Sequence, residues 1–357
     1  MSALPLVILE PEGLYVPTDV ERSILANSLS NTPFEMNYAQ LGEEKPYTDI
    51  PISLRERVHG LFVFRHWMSR EEVALFPSLK VVVRMGVGYD RLDRAALHER
   101  GVIVCNCPDY GTTEVADHAI ALALSLRRGI LLHHDAQRRI VYSGMSTPST
   151  PAIWEQIRSP LIQRSSASRT FTVLGLGRIG TAVALRAKAL GWSTVLFYDP
   201  YIPAGYERAL GIERARSLKE LFERGDVVSV HCPLTKETRN LVGRSLVEVM
   251  KEGSVLINTA RGAIVNLDAV EWGLRNGLLS GVGLDTLPEE PIPDPPHPLI
   301  AAYQRGEEWL RGRLVITPHS AFYSPESWED IRTLSYETMR DVLLDGTRRN
   351  VISIDDE

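Results

Sequence analysis

A chain of 357 residues is long enough for two domains, each with a sizeable core, which excludes a small module stapled by disulfides or metal. Hydrophobic residues make up 44% and charged residues 24%, so the chain is neither disordered nor collagen-like nor a coiled coil. The 39 Lys+Arg against 45 Asp+Glu leave a formal charge of −6, which argues against whole-protein attraction to nucleic acid or an anionic membrane.

The N-terminal stretch MSALPLVILEPEG has no basic leader and no small-residue cleavage site, and no run of about 18 apolar residues occurs in the chain. Short apolar runs follow at 6–9, 61–64, 81–83 and 102–104, with helix-length segments between them such as the one from Leu92 to Glu99. Strands alternating with helices predict a parallel sheet. Cys105, Cys107 and Cys232 form no Cys-x-x-Cys pair, which points away from a disulfide framework or zinc site and toward a reducing compartment, cytoplasmic or nuclear.

From Thr113 to Arg139 the period lengthens to that of a helix, with Val115, Ala119, Leu122, Leu126 and Ile130 on one face. Arg127, Arg128, His133, His134, Arg138 and Arg139 in its second half resemble a basic recognition surface, but a solvated or interface face is the simpler reading. A Ser/Thr/Pro-rich loop occupies 143–151, and a polar segment runs from Gln163 to Arg169. Strand candidates then recur at 171–174, 195–199, 227–231, 255–258, 281–285 and 314–317, the number a doubly wound sheet needs.

The first of these strands enters Gly175-Leu176-Gly177-Arg178-Ile179-Gly180 and a helical pattern through Val183, Ala187 and Leu190, with Gly191 as its stop. In a dinucleotide turn Gly175 permits the sharp bend, Gly177 lets backbone approach a pyrophosphate, and Gly180 lets helix and strand pack closely. Asp199 ends the next strand, 19 residues after the last glycine, where a carboxylate binds ribose hydroxyls and repels a 2′-phosphate, selecting NAD over NADP. A plain βαβ turn accounts for the glycines alone but not for the acid in register.

Three later strands also deliver charged groups at their carboxyl ends, where open α/β sheets bind ligands. Strand 255–258 leads to Arg261, strand 281–285 to Asp285 and the pair Glu289-Glu290, and strand 314–317 to His319. Singly these read as a surface ion pair, a loop carboxylate and a helix-cap neighbour. Together they supply an arginine fork for a 2-oxo acid, a histidine to protonate the developing alkoxide, and a carboxylate to orient the imidazole. Those roles fall to Arg261, His319 and Glu290.

The stretches VVVRMGVGYDRLD (81–93), NCPDYGTTEVADHA (106–119), WEQIR (154–158), LGLGRIGTAVALRAKALGW (174–192), FYDPY (197–201), HCPLT (231–235), NTARGAIV (258–265), GLDTLPEEP (283–291) and TPHSAFYS (317–324) resemble the D-2-hydroxyacid dehydrogenases. Within that family they are most similar to the C-terminal binding protein branch of NAD(H)-dependent transcriptional corepressors and its microbial relatives. The stretches span about 240 residues in the family's order.

The resemblance implies Arg261, Glu290 and His319 as the catalytic set, with Glu290 preferred to Glu289 because it directly precedes Pro291. It implies Arg84 and the backbone of Val87 and Gly88 around the substrate carboxylate. It places Arg178 and Ile179 at the pyrophosphate, Cys232, Pro233 and Leu234 at the adenosine, and Thr259, Ala260 and Asp285 toward the nicotinamide. Cys232 is then a pocket-wall residue and His231 a structural one. The implied fold has two Rossmann-like domains with doubly wound parallel sheets, the NAD domain (108–321) being inserted into a substrate domain made of 1–107 and 322–357, with the reaction in the cleft between them.

The function implied is NADH-dependent reduction of a small 2-oxo acid, reversibly with a D-2-hydroxy acid. The alternative is a corepressor-like scaffold whose first domain docks peptide motifs and whose dimer is controlled by NAD(H). A homodimer is implied through the 113–139 helix and the loop after it, with no direct nucleic-acid or membrane partner and no metal. Two departures stand out. Phe322 occupies the place of the branch's tryptophan, so the pocket stays aromatic but smaller and loses the indole donor. The segment from Pro291 to Leu314 is longer than usual, suggesting a loop and an extra helical turn, and its His297 sits between Pro296 and Pro298 as a loop residue.

Overall fold

A computed structural model describes residues 4–354 apart from 14, 16–17, 43–44, 140–158, 160–161 and 165–166. The Ser/Thr/Pro-rich stretch 143–151, the WEQIR motif at 154–158 and most of the loop assigned to dimer contact lie outside the described residues. The chain forms two compact units, Met1–Gly111 with Tyr323–Glu357 and Thr112–Phe322. Phe322 thus falls in the second unit and 108–111 in the first.

The first unit holds a five-stranded sheet of β1 (Leu6–Glu10), β2 (Phe34–Tyr38), β3 (Val58–Val63), β4 (Val81–Arg84) and β5 (Ile103–Cys105), in the order β2-β1-β3-β4-β5. All pairings are parallel. The apolar runs read from the sequence are β1, β3, β4 and β5. β2 was not among them because its sequence FEMNY has no apolar run and all five residues are only partly buried at the sheet edge. The C-terminal segment returns to the other edge, where Cys105 of β5 bridges Val351 and the Ile352 amide donates to the Val104 carbonyl at 2.8 Å.

The second unit carries a seven-stranded parallel sheet of β6 (Thr170–Leu174), β7 (Thr194–Tyr198), β8 (Glu213–Arg214), β9 (Val227–Val230), β10 (Ser254–Asn258), β11 (Leu279–Leu284) and β12 (Leu314–Ile316). Its order β12-β11-β10-β9-β6-β7-β8 reverses direction at β6, the strand that enters the glycine turn. Six of the seven match the strands read from the sequence, and the two-residue edge strand β8 is the addition. Strands β9, β10 and β11 are buried along their whole length, as a sheet covered on both faces requires.

The single helix expected over 113–139 is two, Thr112–Arg127 and Ile130–Arg139. Gly129 breaks it in a left-handed conformation at φ +60, against the side chain of Ile162. Ile130, placed on the apolar face by periodicity, is consequently 52% exposed. Arg127, placed on a basic surface, is instead buried and donates to the Arg164 carbonyl at 2.6 Å. Burial lowers its pKa to about 10. Among the described residues no helix is long and apolar enough to cross a membrane.

Candidate active site

In the second unit the glycine turn is built by close approach. Gly175 has φ +91, and a β-carbon there would meet the Cys232 amide nitrogen at 2.6 Å. One on Gly180 would lie 2.0 Å from the Gly175 carbonyl oxygen, so the helix Arg178–Ala189 packs against its own entry turn. Gly177 is different, with open space where its side chain would be. It is the N-cap of that helix and supplies no side-chain cap to the first-turn amides. Their partial positive charge faces outward beside exposed Arg178, while Ile179 packs inward.

Asp199 follows β7 and bridges that turn to its own strand end: Oδ2 accepts the Leu176 amide at 2.8 Å and Oδ1 the Tyr201 amide at 2.9 Å. After β9, His231 shares a 2.7 Å hydrogen bond with Ser229, and burial holds its pKa down to about 3, so it is a neutral structural residue. The Cys232 thiol is pushed up to about 12 by burial, which suits a wall and not a nucleophile. Pro233 accepts the Thr238 hydroxyl at 2.7 Å, and Leu234 packs on the core. Cys105 and Cys107 of the first unit are buried and raised to about 12 by burial.

Beyond β10, Asn258 is fully buried and ties the next turn with both ends of its amide, accepting from Ala260 N at 3.0 Å and donating to Arg261 O at 2.8 Å. This bracket sets the direction in which Arg261 leaves the sheet. The Thr259 hydroxyl is buried with no partner among the described residues. Gly262 then lies against the Leu287–Pro288 peptide, where a β-carbon would be 1.9 Å from the Leu287 carbonyl carbon.

That contact joins the arginine turn to the acidic loop. Glu290 Oε1 accepts the Leu287 amide at 2.9 Å, and Oε2 lies 2.6 Å from His319 Nδ1. His319 has φ +52, a conformation that a non-glycine residue holds only when its surroundings impose it. Asp285 imposes it. Its carbonyl accepts the His319 amide at 2.8 Å, and its carboxylate, 1% exposed, takes the Ser320 and Ala321 amides and the Thr317 hydroxyl at 2.9, 3.0 and 2.5 Å. His118 Nε2 reaches Thr317 Oγ1 at 3.1 Å. The Phe322 ring stands edge-on to the imidazole at 6.5 Å.

Sequence reasoning placed Arg261, Glu290, His319 and Asp285 at this sheet end, and the fold brings Glu290 and His319 into contact. Asn258, Thr317 and His118 were passed over. The signal for Asn258 was a polar amide closing an apolar strand. His297 caps the helix Pro298–Gln304 by accepting the Leu299 amide at 3.1 Å, with Asp268 3.1 Å from its other ring nitrogen.

In the first unit Arg84 ends β4 and folds back so that Nη1 donates to the Met85 carbonyl, its guanidinium 5.6 Å from the centre of the Phe64 ring. Gly86, at φ +146, leaves room for it. Val87 O accepts the Asn106 side chain at 2.8 Å and Gly86 O the Cys107 amide at 3.1 Å, which fixes the turn carrying Val87 and Gly88.

The sequence pattern of the D-isomer specific 2-hydroxyacid dehydrogenase NAD binding domain matches residues 120–321, more than half of the chain. The chain belongs to the D-isomer specific 2-hydroxyacid dehydrogenase family. It is 31% identical over 287 residues to D-3-phosphoglycerate dehydrogenase of Methanocaldococcus jannaschii, covering 80% of this chain and 50% of the relative. It is 32% identical over 289 residues to C-terminal-binding protein 1 of Caenorhabditis elegans, covering 80% and 37% respectively. The chain thus spans half or less of the length of these curated relatives. Among solved structures, the apo form of Rhodotorula graminis D-mandelate dehydrogenase superposes with a TM-score of 0.79 at 26% identity, covering 98% of both chains.

The second unit of this family member is accordingly its NAD-binding domain, and the residues present fit the group. The helix start at Gly177 has amides without a side-chain cap, the kind of group that binds a pyrophosphate; the Asp199 carboxylate lies beside that turn, and the Thr259 hydroxyl is buried with no partner among the described residues.

Proposed function

We propose that the protein interconverts a small 2-oxo acid and the corresponding D-2-hydroxy acid with NAD(H). The observation that carries this reading is the 2.6 Å contact between His319 Nδ1 and Glu290 Oε2. A carboxylate on one ring nitrogen sets the tautomer and leaves Nε2 as the proton-transfer atom. NAD(H), held by its pyrophosphate at the glycine turn with its nicotinamide toward Thr259, Ala260 and Asp285, would supply or accept the hydride. His319 gives a proton to the substrate oxygen during reduction and takes it back during oxidation. Glu290 stabilises the charged imidazole and holds its plane. Arg261, directed by the Asn258 bracket, binds the carboxylate and carbonyl of the oxo acid through its fork. In this reading Arg84 and the Val87 and Gly88 amides also contact the substrate carboxylate, Phe322 bounds its side chain, and Ala260, Cys232, Pro233 and Leu234 line the cofactor.

The test follows NADH absorbance with glyoxylate, hydroxypyruvate, phenylpyruvate and branched or thioether 2-oxo acids, on the parent protein and on His319→Ala. Turnover on at least one acid is expected, with the variant slowed more than tenfold and NADH affinity nearly intact. Equal activity in the variant ends the proposed mechanism.

The match to C-terminal-binding protein 1 favours a second reading, a corepressor-like scaffold that docks peptide motifs and forms an NAD(H)-controlled homodimer in the cytoplasm or nucleus. Tight NADH binding without turnover on any acid in the panel is its signature. A scaffold alone has no physical need for the His319–Glu290 pair, and the two activities are compatible in one chain.

A further inference from the structure

We infer that Glu12 is a positioning residue for the substrate-binding arginine of the first unit. It acts through an internal anion nest that it fills. The inference rests on the reading of Arg84 given above.

Glu12 lies two residues past β1, is 1% exposed, and directs its carboxylate at three successive backbone amides beyond β3. Phe64 N donates to Oε1 at 2.5 Å, Arg65 N to Oε2 at 2.8 Å, and His66 N to Oε1 at 3.4 Å. Consecutive amides converging on one point form a concavity that binds anions, and here the anion is the protein's own carboxylate. Burial alone would raise the pKa of Glu12. The His66 ring, its Nδ1 3.5 Å from Oε1, and the hydrogen bonds from the Arg65 and Phe64 amides outweigh it and hold the group below the ordinary carboxylate range. Glu12 is itself placed by a second carboxylate, since Glu10 Oε1 accepts the Glu12 amide at 3.0 Å.

The nest orients the first residue after β3. The Phe64 ring, 7% exposed, packs edge-on against Trp328 at 5.4 Å and presents its face to the Arg84 guanidinium at 5.6 Å. A cation over an aromatic face is attracted by the ring quadrupole, and the attraction fixes the plane of the fork. The line of control therefore runs from the Glu12 carboxylate, through the backbone at 64–66 and the Phe64 ring, to Arg84. Of its side chains, only Arg84 is assigned a substrate contact.

The experiment compares Glu12→Gln, Phe64→Leu and Arg84→Ala with the parent protein, using the 2-oxo acid of the panel with highest turnover. KM, kcat and the NADH dissociation constant are measured separately. Gln keeps the length of Glu12 but loses the charge that gathers three amides, while Leu leaves the nest intact and removes the ring. For both, KM for the oxo acid is expected to rise at least fivefold, with kcat changed less than twofold and NADH affinity unchanged. A merely structural role would lower the active fraction, hence kcat, and leave KM alone. Unchanged KM in Glu12→Gln, or in Phe64→Leu where Glu12→Gln does not fold, overturns the inference if Arg84→Ala raises KM. Unchanged KM in Arg84→Ala removes the reading of Arg84 itself and the inference with it.

Discussion

Gly262 and Leu287 meet so closely that a methyl group on the glycine would sit 1.9 Å from the Leu287 carbonyl carbon and 2.3 Å from its oxygen. The contact locks the turn that aims Arg261 onto the loop whose Leu287 amide holds Glu290. Gly262→Ala must therefore push two backbones apart. Overpacking of this kind costs typically about 1–3 kcal/mol, and a clash with main chain falls at the upper end. The melting temperature is expected to fall by about 5 °C or more, and kcat by more than tenfold because Arg261 and Glu290 lose their common reference. A variant with parental kcat would show that this contact does not align the site.

Much of this architecture was legible in the chain, for identifiable reasons. The strands under the site are buried end to end, so β9, β10 and β11 read as apolar runs closed by polar residues. Strand-end placement then singled out Arg261, Glu290 and His319, although the last two are 29 residues apart. What escaped lacked such a pattern. β2 has one partner strand and five half-exposed residues, and the break at Gly129 hides in a helical period that continues on both sides. Arg127 read as a surface cation because its partner is the Arg164 carbonyl, and a backbone acceptor leaves no mark in the sequence. Asn258 acts through backbone groups for the same reason, and Glu12 reaches amides 52 to 54 positions away.

Glu290→Gln isolates the charge of the acid from its place. The new side-chain oxygen keeps the Leu287 amide, which leaves the NH₂ group facing His319 Nδ1. Two donors cannot face each other, so the imidazole is driven to carry its proton on Nε2. That neutral form has no lone pair on Nε2 to take the proton during oxidation, and during reduction it could give its proton only by becoming imidazolate. Both directions are therefore expected to slow together, kcat/KM falling by about 10²-fold or more in each, because a substitution leaves the equilibrium constant unchanged. Initial rates in both directions check this, and parental rates would remove the tautomer argument.

Asp199→Asn tests the cofactor site. The amide oxygen of asparagine retains the bond from Leu176, now 2.8 Å long, so the glycine turn keeps its support. The negative charge that repels a 2′-phosphate is gone. The ratio of kcat/KM for NADPH to that for NADH is expected to rise at least tenfold, chiefly through KM for NADPH. A ratio unchanged from the parent would mean that Asp199 serves only the Leu176 and Tyr201 amides.

Glu10 predicts a pH dependence of stability that owes nothing to His319. It is 1% exposed, and burial raises its pKa from an ordinary 4.5 to about 7 against the pull of the Glu12 and Gly13 amides. Below pH 4.5 the group is protonated in both folded and unfolded chains, and its contribution is fully present. Between pH 4.5 and 7 the unfolded chain releases the proton while the folded chain keeps it, so the unfolded state binds fewer protons and stability falls as pH rises. A shift of this size corresponds to a loss on the order of 3 kcal/mol, complete above about pH 7.5. Glu10→Gln keeps an acceptor for the two amides and has no charge to bury. Its melting temperature is expected to match the parent's near pH 5 and to exceed it by several degrees at pH 8. A constant difference across that range, or a lower melting temperature for the variant at pH 8, would show that Glu10 is held as a stable carboxylate by the amides at the end of β1.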